Sequence, residues 1–278
     1  MAKTASEATT AQRVCDSQRE RTGTLVRGLS LLEAVSAGAA PMSLGELSAA
    51  ADLDQSTTLR LLRTLEDEGY VVRNDATRRY SPSPKLLHPL PLRHPVQQLR
   101  RDCLRALTDV AQETGCTVIL VLFMDMQRMV LEIGTTPDSL TPYYGPWLTG
   151  PLHATGVGKA LLASLPSQRR GQLLRAAPLE RFTDSTILDP EVLERQLDDM
   201  AVSGFVASRE EYRPGVTNIA VKLQSWSDIT VGCLNATGRA ADLDDAGVVR
   251  VAAALKRAAD LVVYQSPSLE AVARYCRH

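Results

Sequence analysis

The stretch LDQSTTLRLLRTLEDEGYVVRNDATRRYS, residues 53–81, concentrates side chains able to touch nucleic acid. On a helix, Ser56, Arg60 and Arg63 or Thr64 fall on one face, opposite Leu61, Leu62 and Leu65. A helix that enters a major groove leads with its first residues. Gln55, Ser56 and Thr57 could then reach base edges or phosphates, and Arg60 could bridge guanine O6 and N7 or hold a phosphate. The following run adds Arg73, Arg78, Arg79 and Tyr80, donors suited to the phosphate backbone. A solvated helix face would use the same residue types, so the order of the surrounding elements has to decide.

A second group of residues invites other chemistry. HATGVGK, residues 153–159, resembles a phosphate loop but fails its pattern twice, since His153 stands where the first Gly is needed and Ala160 follows Lys159. Thr155 can still cap a helix whose first N–H groups, at Gly156 and Val157, could receive a small carboxylate. Cys233 with His153, oriented by Asp184 or Glu211, would make a nucleophile and base. That reading is a metabolite-processing enzyme with an N-terminal helical assembly module. Cys233 lies mid-strand among apolar neighbours, where a buried structural thiol is the ordinary case, so no catalytic residue is assigned. The other histidines, His88, His94 and His278, are in linker or tail, and the five cysteines form no C-x-x-C pair; neither a metal site nor a cofactor is expected. The Asn235 sequon has no role in a cytoplasmic protein.

The elements that must position these groups fall into two domains. Residues 1–22 are polar and small and read as a disordered tail. Leu25, Leu29, Leu32 and Val35 recur near helical spacing, with Arg27 and Glu33 off that stripe. Ser43 and Glu46 make a capping box for a second, short helix. Asp54 or Ser56 caps the third, Gly69 stops it, and YVVR and RRYS then bound a β-hairpin. Three helices and a hairpin over residues 23–87 predict a winged helix-turn-helix. A proline-rich linker and a connector helix occupy 88–114, with Leu99, Cys103, Leu104, Leu107 and Val110 on one side. From 115 to 265, five strand-like and four helix-like segments predict an α+β domain, and 266–278 reads as a loose tail. Residues 1–101 carry 14 Lys and Arg against 11 Asp and Glu, the remainder 17 against 21, so the basic excess sits with the first domain. At 44% apolar and 4% aromatic the chain can fill two cores with aliphatic side chains. No apolar run is long enough to span a membrane, and scattered, unpaired cysteines fit a reducing cytoplasm.

The run from Val26 to Leu87 resembles the winged-helix domain of the IclR family of bacterial transcription regulators, through Arg27 with Leu31 and Leu32, the Ser43–Leu47 stretch, STTLRLLRTLEDEGYV and RRYSPSPKLL. PLHATGVGKALLASLP, GFVASREEYRPGVTNIAV and VGCLNATG resemble, in the same order, that family's ligand-sensing domain. The resemblance implies a homodimer or homotetramer that binds double-stranded operator DNA, and a GAF-like α+β domain that binds a small-molecule effector; the helix start at Gly156 and Val157 suits an organic acid. The DNA-facing set expected is Arg27, Ser43, Gln55, Ser56, Thr57, Arg60, Arg63, Arg73, Arg78, Arg79 and Tyr80. The effector set carried over from the family is Gly156, Val157, Ser208, Asn218, Asn235 and Thr237. Leu59 departs from the His or Tyr common in the family, Ser208 from Asp, Asn218 from Cys and Lys222 from Pro.

Overall fold

A computed structural model describes residues 23–87, 91–140, 142, 144–145 and 147–276; the tail expected over 1–22 lies outside them. The chain divides into two compact units, Met1–Pro89 and Leu90–His278.

In the first unit α1 (Thr24–Ala37), α2 (Leu44–Ala51) and α3 (Gln55–Asp67) precede a hairpin of β1 (Val71–Asn74) and β2 (Arg79–Pro82). Both arms of the expected capping box form at α2: Ser43 Oγ accepts from Glu46 N at 3.3 Å, and Ser43 N donates to Glu46 Oε2 at 2.6 Å. Asp54, not Ser56, caps α3. Leu31, Val35, Leu47, Leu61, Leu62, Val71 and Tyr80 make the small core. The stripe expected on α1 holds only in its second half: Val35 is buried and Leu32 packs half-buried on this core, while Leu25 and Leu29 are exposed and Leu31, outside the stripe, is buried. The helix turns its 31/35 edge inward, and half-buried Arg27 lies one turn before Leu31.

The second unit is built on an antiparallel sheet in the order β4-β3-β7-β6-β5, from β3 (Thr117–Met124), β4 (Gln127–Gly134), β5 (Val206–Arg209), β6 (Val216–Gln224) and β7 (Thr230–Arg239). One face carries Val118, Leu120, Leu122, Ile219, Val221, Leu223, Leu234 and Ala236, packed against α4 (Pro95–Thr114) and α8 (Asp245–Gln265). Alternation sends Ile119, Val121, Phe123, Ala220 and Cys233 to the other face, beneath α5 (Gly156–Ser164). α6 (Ser167–Arg175) and α7 (Pro190–Ser203) extend that layer through Leu162, Leu174, Leu193 and Leu197.

Two boundaries need correction. The connector expected over 88–114 is not a free linker along its helix: α4 buries Leu99, Cys103, Leu107 and Ala111 in the main core of the second unit, although Leu104 is exposed. Nor are the described residues of that tail, 266–276, loose, because α9 (Ser268–Ala273) buries Leu269, Val272 and Ala273, and Cys276 beyond it is also buried. Their apolar side chains join α4's core, and Ser266 Oγ donates to Asp102 at 2.6 Å.

Candidate nucleic-acid interface and effector site

On α3 the buried positions Thr58, Leu61 and Leu62 define the inner face, and Gln55, Ser56, Arg60 and Arg63 are exposed on the outside, with Thr57 half-buried. The arginine side chains at 60 and 63 have no hydrogen-bond or ion-pair partner among the described residues, so their donors are free for an anion. Asp54 Oδ1 accepts from Thr57 N at 2.9 Å and from Ser56 Oγ at 2.6 Å, and these bonds hold its carboxyl well below the usual range. The Ser56 proton is thus committed to the cap, leaving its lone pairs outward. Ser43 is likewise committed to its capping box, which ties it to the start of α2.

The wing separates the four residues expected to act together. Its turn is closed by Asn74 Oδ1, which accepts from Ala76 N and Thr77 N, each at 3.0 Å, and Arg78 takes φ 54° at the exit. Arg78 is exposed, and its side chain has no partner among the described residues. Arg79 is exposed but spends one nitrogen on Pro41 O at 2.8 Å and Glu46 Oε2 at 3.0 Å. Arg73 is half-buried with its guanidinium 5.9 Å from the Tyr80 ring centre. Tyr80 itself corrects the expectation: at 4% exposure its ring belongs to the core, because alternation along β2 points Arg79 out and Tyr80 in, while Tyr80 N donates to Met42 O at 2.7 Å.

In the second unit strand register brings the expected polar residues into one row. Ser208 pairs with Asn218, Asn218 with Thr237, and Thr237 with Thr117, all on the α5 side of the sheet. Thr237 Oγ1 is the hub. It donates to Asn218 Oδ1 at 2.8 Å, so its single proton is used, and it then accepts from Asn235 Nδ2 at 3.2 Å and from the Tyr144 hydroxyl at 2.7 Å. Burial pushes the Tyr144 phenol up, in keeping with a retained proton. Asn235 Oδ1 is buried with no donor among the described residues, an unmet acceptor in an otherwise satisfied cluster.

The first turn of α5 faces this row. Thr155 caps it as expected, accepting from Gly158 N at 3.1 Å and donating to Pro151 O at 2.7 Å. Gly156 and Val157 present their N–H groups without an acceptor among the described residues, the ordinary state of the first positions of a helix. A methyl group on Gly156 would stand 2.6 Å from Asn235 Oδ1 and 3.0 Å from Asn218 Cβ, so only glycine lets the helix end approach the row. Ser208 is 1% exposed and its hydroxyl donates to Ala154 O at 2.7 Å; it anchors the turn before α5 and its proton is not free.

Sequence reasoning missed four participants. Thr117 completes the row and bonds Leu140 O; strand alternation could have found it. Tyr144 comes from a loop with no periodic signal. Lys159, read only as part of a failed phosphate loop, is fully buried and contacts Glu211 Oε1 at 2.5 Å and Gln196 Oε1 at 2.7 Å. Arg128, on β4, is also buried and donates to Gly150 O at 2.6 Å. Burial pushes the Cys233 thiol well above its ordinary value, which removes the thiolate a nucleophile needs. His153 meets instead the Glu180 carbonyl at 2.9 Å and the Phe182 ring, and Glu211 is taken by Lys159. No cluster of His, Cys, Asp and Glu able to hold a metal occurs among the described residues, and no described helix is long and apolar enough to cross a membrane.

Comparison with known proteins bears on both halves. The profile described as IclR helix-turn-helix domain matches residues 24–75, and that described as bacterial transcriptional regulator IclR C-terminal matches 95–264, more than half of the chain. The glycerol operon regulatory protein of Streptomyces coelicolor is 28% identical over 226 residues, spanning 81% of this chain and 88% of that protein. A crystal structure of an IclR transcriptional regulator from Alicyclobacillus acidocaldarius superposes with a TM-score of 0.76 at 24% identity, covering 87% of this chain and 98% of that one. An IclR homologue from Microbacterium hydrocarbonoxydans, crystallised with 4-hydroxybenzoate, gives a TM-score of 0.73 at 23% identity over 90% of this chain and all of its own.

Proposed function

Because this chain belongs to the IclR family of bacterial transcriptional regulators, we propose that it binds operator DNA through the exposed face of α3 and the tip of its wing, under control of a small organic acid held between α5 and the polar row of the sheet. The observation that carries the DNA half is the segregation along α3: Leu61, Leu62 and Thr58 are buried, while Gln55, Ser56, Arg60 and Arg63 are exposed on the outside. Those four supply base-edge or phosphate contacts. Arg78 is the wing residue best placed for a phosphate, being exposed and unengaged; Arg79 contributes only by leaving Glu46, and Tyr80 contributes rigidity in place of a contact. Arg27 and Arg73, both half-buried, offer flanking phosphate contacts.

The effector half rests on the unmet acceptor Asn235 Oδ1 beside the free N–H groups of Gly156 and Val157. Together they match a ligand carrying both an oxygen acceptor, as in a carboxylate, and a hydroxyl or amine donor. Thr237 and Asn218 hold the Asn235 amide in place, and Ser208 holds the approach to α5. The aromatic acid in the Microbacterium homologue makes 4-hydroxybenzoate a sensible first probe. Two or more copies in the cytoplasm, on a palindromic site with half-sites about one helical turn or a multiple apart, complete the reading.

Fluorescence anisotropy with labelled duplexes from the region upstream of the gene tests it. A sequence-specific complex that weakens with salt, and whose affinity shifts on adding an organic acid, is expected. Binding no tighter to any such duplex than to scrambled DNA would overturn the proposal.

A further inference from the structure

The polar row leaves one charge unaccounted for. Arg128 is 6% exposed, yet no carboxylate pairs with it among the described residues; the one hydrogen bond its side chain makes among them is to Gly150 O at 2.6 Å, and its Nε is buried without a partner there. A lone buried cation is costly unless an anion joins it.

Its surroundings point to where that anion sits. Arg128 pairs in register with Phe123, whose side chain faces the α5 layer. That face also carries Cys233, two residues before Asn235 on β7. On the other side, a methyl group at Gly150 would touch Thr155 Cγ2 at 3.4 Å, so the carbonyl that holds Arg128 belongs to a residue lying against the cap of α5. The guanidinium thus lies on the sheet face that carries the row and is tied to a residue against the cap of α5. The row itself offers no counter-ion: Thr117, Ser208, Asn218, Asn235 and Thr237 are neutral, and nearby Glu211 is paired with Lys159.

We infer that Arg128 sets the charge specificity of the effector site: the pocket takes a small molecule bearing a carboxylate, which Arg128 binds in concert with the N–H groups at the start of α5, and discriminates against the neutral amide of the same molecule. The inference rests on the effector site proposed above. A charge-assisted bond from a fork of guanidinium donors is the interaction best suited to tell an acid from its amide, and Ser208, neutral where the family often carries Asp, adds no repulsion. Holding Gly150 is a second task of the same side chain, and a variant must separate the two.

Isothermal titration of the full-length protein with benzoate, 4-hydroxybenzoate, pyruvate and succinate, each beside its neutral amide, is the test, with Arg128→Gln, Arg128→Lys and Asn235→Leu. Gln keeps a donor for Gly150 O and loses the charge; Lys keeps the charge. In the parent at least one acid should bind about tenfold or more tighter than its amide. Arg128→Gln should weaken the acid about tenfold or more beyond any loss in the amide and so erase that preference, and Arg128→Lys should retain most of it. Preference for the acid that survives Arg128→Gln, or acid and amide weakened equally, would overturn the inference and leave Arg128 as a loop anchor. No preference in the parent would overturn it as well. Acid binding untouched by Asn235→Leu would instead refute the placement of the effector site, and the inference with it.

Discussion

Replacing Lys159 by Met removes one charge from a site that excludes water on every side. Lys159 stands one turn into α5 from Gly156, and its ammonium reaches Glu211 after β5 and Gln196 on α7, so the pair ties the effector end of α5 to two other elements. The side chains are 0% and 5% exposed, and Glu211 Oε2 is already without a partner. Burial pushes the Lys159 ammonium down and the Glu211 carboxyl up, each against the opposing pull of its partner. Methionine keeps the length of the stem but strands the carboxylate, so a loss of about 3–5 kcal/mol near neutral pH is expected. The sign of the pH dependence follows from the raised Glu211 value. A raised folded value gives stability that is fully present below the ordinary 4.5 and lost as pH rises through the folded value; removing the Lys159 charge raises that value further, so the deficit of the variant should shrink on acidification, by up to about 1.4 kcal/mol per pH unit between the folded value of the variant and the lower one of the parent. Urea unfolding followed by tryptophan fluorescence isolates the second unit, since Trp147 and Trp226 are the only tryptophans and both lie there. The double variant Lys159→Met with Glu211→Leu should return to within about 1 kcal/mol of the parent. A single variant that loses less than about 1 kcal/mol, or a double variant no better than the single, would refute the reasoning.

Arg60→Ala should weaken operator binding by about 1–3 kcal/mol in an anisotropy titration and leave the urea midpoint unchanged, because the side chain is exposed and makes no bond within the described chain. Ser43→Ala should cost the first unit about 1 kcal/mol by opening the capping box, measured by chemical denaturation followed by circular dichroism. Gly156→Ala should abolish the effector response while preserving DNA affinity, since its methyl group would collide with Asn235; crowding of that kind costs about 1–3 kcal/mol, and retained ligand binding in a thermal-shift assay would contradict it.

How much of this could be read in advance varies with the range of the interaction. The capping box, the cap of α5 and all five strands of the second unit follow from local spacing, and the register then assembled Ser208, Asn218 and Thr237 as a row. The phase of α1 did not follow, because leucines at 25, 29, 31 and 32 allow more than one apolar stripe and only packing chooses between them. Tyr80 could have been placed inside by counting alternate residues from Arg79; its aromatic hydroxyl suggested a phosphate contact and masked the period. The packing of α9 was legible in Leu269 and Val272, three residues apart, had the short run been weighted. Arg128 left no local signal, since its role depends on Gly150, twenty-two residues away, and on a strand at its side.

The docking of α9 gives this protein a built-in chemical clock. Cys276 lies buried beyond that helix, in the same cluster as Val96 and Leu99 near the start of α4, and burial pushes its thiol up to about 11. The rate at which a thiol reagent labels Cys276 therefore counts the moments when the last turns of the chain let go of α4. A ligand that tightens the second unit should slow that clock, even if it moves no atom far enough to be seen.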